Sequence, residues 1–71
     1  MAKTMLGPEA RRELTAHLVR SLYGSFDVAT LEEILAVGRK YEAEMGAAAP
    51  DEVLLMNEAL AAEIERRKAA R

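Results

Sequence analysis

Two short clusters of helix breakers, Gly24-Ser25-Phe26-Asp27 and Gly46 to Pro50, divide this chain into three stretches in which apolar residues return every three or four positions. A period near 3.6 residues is that of an amphipathic helix with one face turned to a core. The spacing therefore predicts an all-α protein, with helices over about 8–23, 30–45 and 50–69. Abundant alanine, one phenylalanine and no tryptophan agree with that reading and disfavour a β-sandwich core.

In the first stretch Gly7-Pro8 supplies a start and Tyr23-Gly24 a stop, because proline suits the first helical position and glycine the C-terminal cap. At about 100° per residue, Ala10, Leu14, Leu18 and Leu22 fall on one face, flanked by His17 and Ser21. This leucine row is the expected core face. Val19 and Tyr23 form a second strip, available to a further neighbour. The second helix has two possible starts. Asp27 as N-cap pairs Phe26 with Leu31 as a hydrophobic staple, and Thr30 as N-cap forms a capping box with Glu33. Leu31, Ile34, Leu35, Gly38, Tyr41 and Met45 share its face, with Val37 at the margin. Gly38 costs about 1 kcal/mol relative to alanine in mid-helix, and a close helix crossing is the simplest compensation.

The third helix opens on Pro50-Asp51-Glu52, with acids at the positive end of the helix dipole. Val53, Met56, Leu60 and Ile64 make its main stripe, with Asn57 and Ala61 beside it, while Leu55 points elsewhere with Ala59 and Ala62. Short connections favour antiparallel neighbours. Two architectures follow: a three-helix bundle, or a helical hairpin plus a long third helix completed by a second copy. Either is a single domain over residues 1–71.

A chain of 71 residues buries only about 60% of its unfolded surface, so its core is thin. It has no cysteine and one histidine, which removes disulfides and the usual zinc sites. Regular helix packing and self-association are left as sources of stability. Residues 1–8 lack the apolar run of a signal peptide and no segment is long enough for a membrane span, so a cytoplasmic location without membrane contact is expected.

No catalytic, metal or cofactor site is expected. His17 has Glu13 one turn before it, but only Thr15 and Ser21 nearby as candidate nucleophiles, and reads as a boundary histidine. Glu32 and Glu33 fit ordinary placement in a first helical turn. Glu42 lies near the apolar stripe and is expected to pair with Arg39 or with a partner's arginine. No Gly-rich phosphate loop or metal-ligand spacing occurs. The chain is expected not to be an enzyme.

The candidate partner-binding residues are Val19, Tyr23, Leu54 and Leu55 as apolar anchors, Asn57 either as a polar register residue in a paired seam or as a hydrated residue at the core's edge, and Arg66 and Arg67 as an electrostatic guide. They imply a non-catalytic protein–protein interaction module, a small regulator or accessory subunit acting through helix–helix contacts, with a homodimer and a protein partner expected. The alternative is a small DNA-binding transcriptional regulator or antitoxin-like protein using Arg66, Arg67, Lys68 and Arg71. Against it stand a net charge of -2, a sequence pI near 5.4, and acids where a recognition helix wants cations.

Overall fold

The computed structural model describes residues 7–70, which form α1 (Pro8–Tyr23), α2 (Val28–Met45), a 3-10 turn (Gly46–Ala48) and α3 (Asp51–Ala69). The fold is all-α, with three helices and no strand among the described residues. Pro8 starts α1 behind the Gly7 cap. Asp27 caps α2 by accepting the Thr30 backbone N–H at 2.9 Å, so this helix begins at Val28 rather than at 30. Its stop is Gly46 at φ 59°, a left-handed position that suits glycine, with the Gly46 N–H returned to the Glu42 carbonyl. None of the three helices is long and apolar enough to cross a membrane.

α3 lies between the other two. Both α1 and α2 pack along it, while α1 and α2 hardly touch each other despite their short connection. The expectation of antiparallel neighbours along the chain thus fails for α1 and α2. Arg11 reaches Asp51 at one end and Arg67 reaches Tyr23 at the other, so α1 and α3 run in the same direction. α2 returns antiparallel, tied to α3 by Glu42 with Asn57 and by Glu32 with Lys68. The core is small and sits where the α1–α2 loop meets the last turns of α3. Val19, Leu31, Ala59, Leu60 and Ile64 are buried there, and Tyr23, Val28, Ile34, Leu35 and Met56 pack around them. Each large member contributes about 1.5–3 kcal/mol of hydrophobic stabilisation.

The faces of α1 are reversed from the expectation. Val19 is fully buried and Tyr23 half-buried, whereas Leu14, Leu18 and Leu22 are 48%, 41% and 61% exposed. The reason lies on α3. Ala59 is buried in this contact, Ala16 is half-buried beside it and Ala62 edges it, so the side chains that α3 offers here are small and suit Val19. A leucine row in that place would hold the helices apart. Ion pairs fix the same rotation: Arg12 meets Glu58 at 3.4 Å, and Arg11 lies 3.9 Å from Asp51 and 4.0 Å from Glu52.

The close crossing expected at Gly38 is present. A Cβ there would lie 2.1 Å from Asn57 Oδ1. Asn57 is buried and donates from Nδ2 to Glu42 Oε1 at 2.9 Å. Gly38→Ala gains about 1 kcal/mol of helix propensity but displaces a buried amide worth about 1–3 kcal/mol, so a net loss near 1 kcal/mol is expected. In a small domain that lowers the melting midpoint by several degrees. The double variant with Asn57→Ala should show the Gly38→Ala change turn neutral or stabilising. An undiminished penalty in that background would place the clash somewhere other than Asn57.

Candidate interaction surface

Near the C-terminal end of α3, Glu63 is only 4% exposed, yet it carries a charge. Its carboxylate accepts from Arg66 Nε at 3.1 Å and Nη2 at 2.6 Å, and from Arg67 Nε at 2.8 Å. The Arg66 hydrogen bonds, aided by Arg67 and opposed by burial, bring its pKa down to about 2. The same carboxylate raises the pKa of Arg66. Arg67 continues across the fold, donating from Nη1 to the Phe26 carbonyl and from Nη2 to the carbonyls of Tyr23 and Gly24 at 3.3 Å each. The Tyr23 and Gly24 carbonyls end α1, where a helix leaves acceptors unsatisfied, and the Phe26 carbonyl belongs to the loop that follows. Tyr23 and Phe26 add an aromatic contact at 5.5 Å between ring centroids. The α1–α2 loop is thereby fastened to α3.

This clasp uses the cations that the sequence offers to partners. Arg67 is a structural tie between three segments, and Arg66 is held by Glu63. Lys68 meets Glu32 on α2 at 3.0 Å. Arg71 lies outside the described residues.

The other candidate residues are scattered. Val19 has no exposed surface and is not available to a partner in this fold, and Tyr23 is half-buried beside it. Asn57 donates from its amide to Glu42 within the same chain, so Glu42 is engaged by Asn57 where Arg39 was expected. Leu55 is half-buried in a crevice with Arg12, Ala16, Glu58 and Ala62, and Leu54 stays 37% exposed on that side. His17 is exposed on α1, and no group of three or more potential metal ligands converges among the described residues.

The apolar surface left open is elsewhere. Besides the leucine row of α1, Val37, Tyr41 and Met45 are exposed on α2. Val37 and Tyr41 border a shallow groove whose floor is Ile34, Val53, Met56 and Leu60, between α2 and α3. Sequence periodicity placed these α2 residues on an apolar stripe, but did not say that α1 would leave the stripe uncovered. The available signal was the set of small residues Ala16, Ala59 and Ala62, which selects the close α1–α3 contact. No protein-family model, curated protein or solved structure matches this chain.

Proposed function

We propose that this chain is a non-catalytic helix–helix interaction module, a small regulator or accessory subunit whose partner covers apolar surface that its own helices leave open. The observation that carries this reading is the exposure of Leu14, Leu18 and Leu22 at successive turns of one helix. Scattered exposed leucines are common, but a row at successive turns of one helix is the kind of surface that marks an association site. Recognition would follow the helix-in-groove mode, in which anchors repeat at three- and four-residue spacing. The engagement of Arg66, Arg67 and Lys68 with carboxylates of the same chain leaves the nucleic-acid alternative with less support.

A photo-crosslinking amino acid placed at Leu18, and at Leu54 as a control, tests the reading in native extract. Cross-linked polypeptide is expected from position 18, whether its source is this chain or another, and little from position 54. Absence of any cross-linked protein at position 18 would remove the proposed surface.

A further inference from the structure

The exposed apolar residues of α1 and α2 lie on one side of the helical layer. Behind the α1–α3 contact, Arg12 and Ala16 meet Leu55, Glu58 and Ala62. Around α1, the leucine row lies on the opposite flank of Val19 from Arg12 and Ala16 at 100° per residue. Around α3, Met56 and Leu60 lie on the opposite flank of Ala59 from Leu55, Glu58 and Ala62 by the same geometry. The leucine row therefore shares a side with Met56, and Met56 lines the groove with Ile34, Val37 and Tyr41. One face of the layer is apolar across all three helices, while the Arg12–Glu58 ion pair and Leu54 belong to the back.

We infer, building on the interaction reading above, that this face is closed by a second copy of the chain. The argument is one of area. Leu14, Leu18, Leu22, Val37, Tyr41 and Met45 are each between 38% and 69% exposed. At on the order of 80 Å² apiece, they offer roughly 500 Å² of apolar side-chain surface, toward the upper end of the largest patch that a typical monomer carries, about 300–600 Å² and often functional. A standard interface buries about 800 Å² per partner, roughly 60% of it apolar, so this face has the apolar content of one half of a stable dimer. It is also self-complementary. A two-fold axis parallel to α3 and lying just outside this face sets the leucine row of each copy over the α2 side of the groove in the other. The face needs no rearrangement of the core, because Val19, Leu31 and Leu60 are already enclosed within one chain.

Sedimentation equilibrium of the full chain from low to high micromolar concentration provides the test. The expected result is a species of twice 7.8 kDa that dissociates on dilution. Leu18→Glu should raise the dissociation constant about a hundredfold or more, since the symmetric interface carries the change twice. Leu54→Glu, on the back, should leave association within about threefold of the unchanged chain. Val37→Glu supplies a second front-face variant should Leu18→Glu reduce the helical circular dichroism signal. A chain that stays monomeric throughout overturns the inference, as does a dimer that Leu54→Glu breaks while Leu18→Glu and Val37→Glu spare it. A monomer still cross-linked through position 18 to a different protein would sink self-association alone. A monomer cross-linked to nothing would sink the interaction reading as well.

Discussion

Glu63→Gln is expected to lower stability by about 2–3 kcal/mol at neutral pH, and to flatten the acid sensitivity of the fold. In the unchanged protein the carboxylate titrates near 2, against 4.5 for an unperturbed group. A depressed carboxylate pKa means that the unfolded chain binds protons more readily than the folded one. The stabilisation is therefore complete above about pH 4.5 and is lost as the pH falls toward 2. Linkage bounds it at about 3 kcal/mol for a shift of this size. Asp27, whose pKa is lowered by the Thr30 side chain and backbone N–H, acts in the same direction. Glutamine offers Arg66 and Arg67 an oxygen but no charge, and frees both guanidinium groups to rehydrate. Urea unfolding at a series of pH values checks the prediction. The stability difference between the two proteins should shrink between pH 4.5 and 2, and a difference that stays constant would show that the charge of Glu63 does not hold the clasp.

Val19→Asp is expected to abolish cooperative unfolding altogether. The site is fully enclosed, and the core around it has four other buried apolar residues among the described residues. Placing an unpaired carboxylate there costs several kcal/mol whether it is desolvated as an ion or takes up a proton. That is comparable to the whole stability of a small domain, of the order of 5 kcal/mol. Leu18, one residue earlier, should accept glutamate without losing the native far-ultraviolet circular dichroism spectrum. Thermal melts of the two variants decide between the faces of α1. If Val19→Asp melts cooperatively and Leu18→Glu does not, the helix packs with its leucine row inward.

Helix number, the breakers at Gly24 and Gly46 and the Asp27 cap as one of two options were legible in the sequence, because each depends on residues near one another in the chain, and the close approach at Gly38 was legible because a glycine in mid-helix is costly unless another segment packs on it. The rotation of α1 was not. Two apolar strips compete on that helix, and side-chain volume alone favours Leu14, Leu18 and Leu22. The contact is decided by what α3 presents, Ala59 and Ala62 with Glu58, and the sequence does not say in advance which helices will meet. The candidate site changed with it: Val19 moved into the core and the leucines out. Arg67 was misread for a related reason. A basic helix end resembles a solvent-facing cluster until the carbonyls of Tyr23, Gly24 and Phe26 are found beside it.

Because α1 and α2 share almost no surface, the central position of α3 governs when this protein can fold as well as how. A nascent chain displaying only these two helices has almost no mutual apolar contact with which to hold them, and short isolated helices are marginal in water. Synthesis must proceed past Arg67 before the two earlier segments acquire a common support. Until then the leucines of α1 and the stripe of α2 are open together to whatever else the ribosome's surroundings contain.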